Sequence, residues 1–421
     1  MAAAAARHAS SGLTALSHRL TKHFSAANRC PANAQRGSGN LVFSPLSIYS
    51  VLSLAAAGAG GRTLAELLGL LGAGCRGTLA DNVRAIVEHA LPADPPQPGG
   101  PRVAYSCALW HDAARTLRPA YRAAAAATCR AVARAVDFRN EPEEARQQIN
   151  AWVAAATRNL INSILPRGSV DSSTRLVLTN AVYFKGRWER PFATWRTKVH
   201  KFHRLDGGGA IDAKFMSCVK DQFVAVHDGF KVLKMPYTVP DEAMSVTART
   251  KPLPRPPRYS MCVFLPDAHD GLWSLEESMA SDPGFLFEHL PDQRVMVGEF
   301  RVPKFKLSFS RSIKNTLHDL GIKDLFSRGA DLKDMLEDDG SGEPLFASDV
   351  FHRAVIEVNE EGTEAAAATA MTMHGSCPPL EPPPNRVNFV ADHPFAFYVV
   401  EELSGAILFG GHVLDPTESM E

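Results

Sequence analysis

Hydrophobic and polar positions along this chain follow two periods, and the change from one to the other comes early. From Leu13 the apolar residues Leu13, Leu16, Leu20 and Phe24 recur at helical spacing, predicting a helix over Leu13–Ala27. A short strand closing at Phe43 precedes Ser44 and Pro45, a helix cap followed by a proline suited to the first turn. Thr63 and Glu66 have the spacing of a capping box and open a helix over Leu64–Leu71. Pro119–Val136 is Ala-rich and predicts a helix. Glu141–Leu165 predicts a longer one, with Ile149, Trp152, Val153, Leu160 and Ile161 apolar and Pro166 and Gly168 marking its end.

Period two then dominates. Val103–Trp110 and Leu176–Phe184 predict strands, and Lys198–Met235 alternates short strands with turns. Tyr259–Leu265 is a strand, Leu272–Ala280 a short helix, and Val295–Phe309 two strands broken at Pro303. Ser312–Leu320 predicts a helix stopped by Gly321. Val350–Val358 is a strand, and Phe395–Val400 with Ala406–His412 forms a terminal hairpin. Pro92–Pro101 reads as a loop. Residues 238–258 are polar, with Pro252, Pro254, Pro256 and Pro257 among Lys and Arg, and read as a surface insertion in which a Pro-rich ligand for a partner is a minor alternative. Helices followed by strands argue an α+β fold.

One stretch fits neither period cleanly. After Val355, Ile356 and Val358 come Glu360, Glu361 and Gly362, then small residues from Thr363 to Ala370, then Pro378–Pro384. Propensity favours helix at Ala365–Ala368, yet the run has no apolar face to bury. By composition it is an exposed linker. Read with period two, Thr363, Ala365, Ala367 and Thr369 share one face, and all four are small. Such a segment can enter a sheet between existing strands without a clash.

Composition narrows the classes. Hydrophobic residues make up 45%, enough for a large core. Lys+Arg and Asp+Glu are 45 each, so no net field favours nucleic acid or an anionic membrane. No apolar stretch approaches a membrane span, and Met1–Arg7 makes a poor secretory signal. Seven scattered cysteines and the absence of an Asn-x-Ser/Thr sequon point to a cytoplasmic or nucleocytoplasmic protein, with secretion left open. There is no Gly-x-Ser-x-Gly, His-Glu-x-x-His, P-loop or dinucleotide motif, and the fifteen histidines lack ligand spacing. No catalytic residue, metal or cofactor is expected, and an enzyme is a remote reading.

Glu360-Glu361-Gly362-Thr363-Glu364-Ala365-Ala366-Ala367-Ala368-Thr369 resembles the hinge of the reactive-centre loop in the serpins (serine protease inhibitors), in the inhibitory form and most like the plant members. The resemblance recurs in order along residues 13–416: at Asn40–Ser47, Thr179–Phe192, Val302–Lys304, Gly329–Leu332, His352–Ala354, Asp392–Phe395 and Phe409–Pro416. It implies one serpin domain over 1–421, with helices around a large mixed main sheet and two smaller sheets, and a reactive-centre loop at 360–388. It places Ser47, Asn180 and His352 in a polar shutter cluster beneath that sheet. It places Trp188, Lys304 and Glu360 at the breach, where insertion begins. By itself His352 would read as a satisfied core histidine.

What the resemblance implies for function is a monomeric suicide substrate of a protease. Its freed hinge would enter the sheet as a new strand. From Glu360 to Ser376 the chain spans roughly 53 Å at about 3.3 Å per residue, long enough to carry a tethered protease along the sheet. Counting from Gly362 puts the reactive bond at Ser376-Cys377, with Gly375-Ser376 and Met373-His374 as alternatives. Cys377-Pro378 is disfavoured because a proline nitrogen is a tertiary amide. Ser376 is small and uncharged where many plant relatives are basic. That favours elastase-like, subtilisin-like or papain-like cysteine proteases over trypsin-like ones. Cys377 is an inert surface thiol or a redox-sensitive one. The alternative function is a non-inhibitory, binding or chaperone-like member, and the all-small hinge argues against it.

Overall fold

The computed structural model describes residues 7–28, 39–91, 100–205, 209–239, 256–337, 343–363 and 386–418. Within them, strands in chain order are β1 (Leu41–Phe43), β2 (Arg102–Asp112), β3 (Val132–Val136), β4 (Leu176–Arg187), β5 (Lys198–His203), β6 (Ala210–Ser217), β7 (Gln222–His227) and β8 (Phe230–Pro236). There follow β9 (Tyr259–Pro266), β10 (Arg294–Val295), β11 (Val297–Pro303), β12 (Phe305–Ser312), β13 (Asp349–Val358), β14 (Gly362–Thr363), β15 (Val387–Val390), β16 (Phe395–Glu401) and β17 (Ile407–Val413). They form three sheets. An antiparallel sheet runs β1-β17-β16-β9-β8-β7-β10, and a small one runs β15-β11-β6-β5. The third, β12-β13-β14-β4-β2-β3, is mixed and holds the longest strands.

The helix Pro45–Ala57 is buried almost throughout because it lies between two sheets, packing on β2 and β4 on one side and β17 on the other. Its start is fixed as the sequence predicts. Ser44 Oγ accepts from Ser47 N–H at 3.2 Å, and Pro45 occupies the first turn. The helix Ser11–Asn28 buries Leu13, Leu16, Leu20 and Phe24 as its spacing requires.

Four element readings need correction. The Ala-rich segment is a helix only over Pro119–Cys129; Arg130 at φ 49° ends it, and 132–136 becomes edge strand β3, parallel to β2. The helix expected over Glu141–Leu165 is Pro142–Ala156. Arg158 and Asn159 adopt positive φ, and Asn150 folds the chain back, its Oδ1 accepting from Ile164 and Leu165 N–H at 2.9 Å each. Thr63 and Glu66 do not form a capping box, since the helix opens at Gly61. Thr63 Oγ1 accepts from Asp331 N–H, and Glu66 accepts from Lys323 and Asp324 N–H, tying down a distant loop. The helix expected from Ser312 starts at Lys314, because Ser312 still pairs with Phe351 at the end of β12.

Pro303 ends β11, as expected, and the chain crosses at Lys304 from the small sheet to β12 of the mixed one. The segments 240–255 and 364–385 lie outside the described residues. They include most of the expected insertion 238–258 and of the loop 360–388.

Candidate functional site

The mixed sheet has a seam between β13 and β4. From Asp349↔Val177 to Val355↔Tyr183 the two strands pair directly and in parallel. At the other end β14 separates them: Thr363 pairs with Val358 of β13 and with Gly186 of β4, antiparallel to both. Thus Gly362 and Thr363 of the sequence-predicted hinge stand as a two-residue strand inside the sheet. β4 also runs past the predicted Phe184 to Arg187, because Gly186 and Arg187 are the partners of this short strand.

Gly362 is there for a steric reason. Its φ is 155°, and a Cβ would lie 1.9 Å from Gly186 O. Thr363 is fully buried, and its hydroxyl shares a 2.7 Å hydrogen bond with Tyr237 OH. Tyr237 stacks on Trp188 at 4.5 Å between centroids. Trp188 holds the chain on the other side: its N–H donates to Glu361 O at 2.8 Å and its Nε1–H to Asn359 O at 2.9 Å. Asn359 Oδ1 accepts from Glu361 and Gly362 N–H, which fixes the turn between β13 and β14.

Glu360 completes this end. Lys304 Nζ donates to Glu360 Oε2 at 2.8 Å, Thr197 Oγ1 donates to Oε1 at 2.7 Å, and Glu360 O accepts from Phe192 N–H. Burial pushes the carboxyl up, but these donors outweigh it and hold Glu360 below the usual range. Trp188, Lys304 and Glu360 are therefore brought together. Sequence reasoning missed Thr197, Tyr237 and Asn359. Each is an ordinary polar residue in its local context, without a sequence signal.

At the paired end a second cluster sits under the seam. His352 on β13 and Asn180 on β4 are register partners. Ser44 N–H donates to His352 Nε2 at 3.0 Å, which leaves the ring proton on Nδ1, donating to Asn180 Oδ1 at 2.5 Å. Asn180 Nδ2 then donates to Ser47 O at 2.8 Å. Burial pushes the imidazole down to about 3, so the ring is neutral and the chain of donors runs one way. Ser47, Asn180 and His352 are thus joined. Ser47 acts through its carbonyl; its buried hydroxyl has no partner among the described residues. Ser44, foreseen as a helix cap, has a second role here through its backbone.

Glu364, Ala365–Ala368, Thr369, Ser376 and Cys377 lie outside the described residues. No helix of the described residues is long and apolar enough to cross a membrane.

The profile of the family described as serpin (serine protease inhibitor) matches residues 13–416. Rice (Oryza sativa subsp. japonica) serpin-Z6C is 59% identical over 99% of this chain and 100% of its own. The structure of AtSerpin1 from Arabidopsis in its native stressed conformation is similar at TM-score 0.83 and 36% identity, covering 98% of this chain and 99% of that one. Human thyroxine-binding globulin shares the fold at TM-score 0.78 and 22% identity over 98% of this chain and all of that one. The chain belongs to the serpin family, whose members are in general protease inhibitors and not enzymes.

Proposed function

We propose that this serpin is an irreversible suicide inhibitor of an endopeptidase that accepts a small residue at the cleaved bond. The observation that carries the reading is β14: two hinge residues already part β13 from β4 and pair with both. The next residues, Glu364 to Thr369, carry the small alternate face described above, and direct β13–β4 pairing begins only at Val355↔Tyr183. An entering strand would exchange parallel pairs for antiparallel ones on both sides, and parallel pairing is slightly the weaker.

In this mechanism the protease nucleophile attacks the Ser376 carbonyl, and the amine of Cys377 leaves. Residues 364–376 then enter the seam with the acyl-enzyme attached. His352, Asn180, Ser44 and Ser47 hold the seam closed until that moment, while Trp188, Tyr237, Lys304 and Glu360 hold its entrance open. We read residues 1–421 as a single serpin domain, with the resemblance strongest over 13–416 and the insertion 238–258 on its surface. We also place the protein as a monomer in the cytoplasm or nucleus, where the five described cysteines, all free, would stay reduced.

Incubation with elastase-like, subtilisin-like, papain-like and trypsin-like proteases tests the reading. An SDS-stable complex with one of the first three, releasing a peptide that begins at Cys377, is expected. Clean cleavage of the loop with no complex from any of them would instead make this a non-inhibitory, binding member of the family.

A further inference from the structure

A cluster of histidines lies outside the seam, on the edge of the small sheet. We propose that His269, Asp392 and His393 form a binding site for a divalent transition metal ion, with zinc as the reference ion. The proposal does not depend on the inhibitory reading.

The donor atoms of the three residues lie within 4.8 Å of one another. His393 is buried, Asp392 half-buried and His269 exposed, so the site has a closed base and an open mouth. His393 Nε2 meets Pro266 O at 2.7 Å, a carbonyl that can only accept, so Nε2 carries a proton. The other nitrogen, Nδ1, faces Asp392 Oδ1 at 2.9 Å. A neutral ring would set a lone pair against a carboxylate there. The ring nitrogen and the carboxylate oxygen thus face each other as two donor atoms that a cation can bridge. A ligating histidine whose other nitrogen donates to a backbone carbonyl is the usual arrangement around bound metal.

His269 supplies the third donor. Its ring lies between two others, stacked on His393 at 4.7 Å and on His203 at 4.8 Å. Asp392 is itself held in place, its carbonyl accepting from His203 N–H at 2.7 Å. Two imidazoles and one carboxylate suit zinc, copper or nickel better than calcium or magnesium, and leave a position for water. Zinc bonds of about 2.0–2.2 Å require the three donors to draw closer than 4.8 Å. Asp392 and His393 are already near enough, and exposed His269, in the turn after β9, is the donor that must move.

The ion would join three segments distant in sequence: the turn after β9, the residues following β15, and the end of β5 through His203. β15 begins just beyond segment 364–385, so the ion would anchor the far side of the loop.

The test is titration of Zn²⁺ into the full chain after EDTA treatment and desalting, by calorimetry, with wild type, His269→Gln, Asp392→Asn and Cys75→Ser compared. Wild type and Cys75→Ser should bind one more zinc per chain than the other two, and only they should gain several degrees of melting temperature in excess zinc. The His269 side chain is exposed, so His269→Gln is expected to fold and decides if Asp392→Asn does not. Equal stoichiometry and affinity in wild type and His269→Gln would overturn the proposal. So would a site lost in Cys75→Ser and kept in His269→Gln.

Discussion

The two ends of the β13–β4 seam are built differently. At the Gly362 end the strands are already parted, and contacts to the intruding chain hold them: a stacked Trp188–Tyr237 pair, one partly exposed ion pair and a glycine where no side chain fits. At the His352 end the strands touch, and a buried, one-way chain of hydrogen bonds runs from Ser44 through His352 and Asn180 to Ser47. The first end costs less to rearrange, since Lys304 is one-third exposed and β13 and β4 are joined there through the short β14 rather than by direct pairing. The second is a continuous chain of buried hydrogen bonds, and such a chain is costly to leave half-made. In the proposed mechanism the first end is a permissive entrance and the second a guarded interior.

The sharpest way to break that contrast is at His352. Its folded pKa of about 3 lies below the unfolded value near 6.5, so the unfolded chain binds the extra proton first as pH falls. The neutral ring's contribution is therefore full above about pH 6.5 and is lost progressively toward pH 3, amounting to about 5 kcal/mol across the window. His352→Gln removes the titration. Its urea-unfolding free energy should fall by about 2–3 kcal/mol near neutrality through mispaired buried donors. Between pH 6.5 and 3 it should depend on pH less steeply than wild type, by up to about 1.4 kcal/mol per unit. Parallel pH profiles would remove His352 from the guard.

Gly362→Val attacks the entrance. Its Cβ would meet the Gly186 backbone, so the two-residue strand must leave the sheet. The loss should be about 1–3 kcal/mol, the range for local strain, with faster amide exchange at Gly186 and Thr363 but not at Asn180. Faster exchange at both would mean that the ends are one cooperative unit.

Tyr237→Phe removes the hydroxyl shared with Thr363 and should cost about 1 kcal/mol. Lys304→Ala should cost the least, about 0–1 kcal/mol, since Lys304 is one-third exposed and Thr197 still donates to Glu360. The pair's contribution is present above the unfolded carboxylate pKa and fades as pH falls through the lower folded one. A Lys304→Ala loss as large as that of His352→Gln would erase the distinction between the ends.

The sequence carried the strands of the seam well. Val350–Val358 and Leu176–Phe184 are apolar, β-branched runs, and burial on both faces leaves little else they can form. It misplaced elements whose ends are set by tertiary partners: Asn150 recapturing Leu165, and Arg130 turning an Ala-rich helix into edge strand β3. Of the seam's polar groups, Ser47, Asn180 and His352 came from family resemblance, because nothing local joins positions so far apart in sequence. Neither the use of Ser47 through its carbonyl nor the place of Ser44 N–H in the chain was legible, since backbone groups leave no residue signature. Tyr237 and Thr197 were silent for the same kind of reason: their partners are supplied by the fold.

The central claim is that the guarded interior opens to admit the rest of the hinge once the loop is cut. The direct measurement is the melting temperature before and after a single nick between Gly375 and Cys377. A nick alone frees chain ends and lowers stability. Entry of residues 364–375 between β13 and β4 would add backbone hydrogen bonds at about 0.5–1.5 kcal/mol each, together with new burial. A marked rise in the transition of the nicked protein is expected. An unchanged or lower transition would contradict the claim.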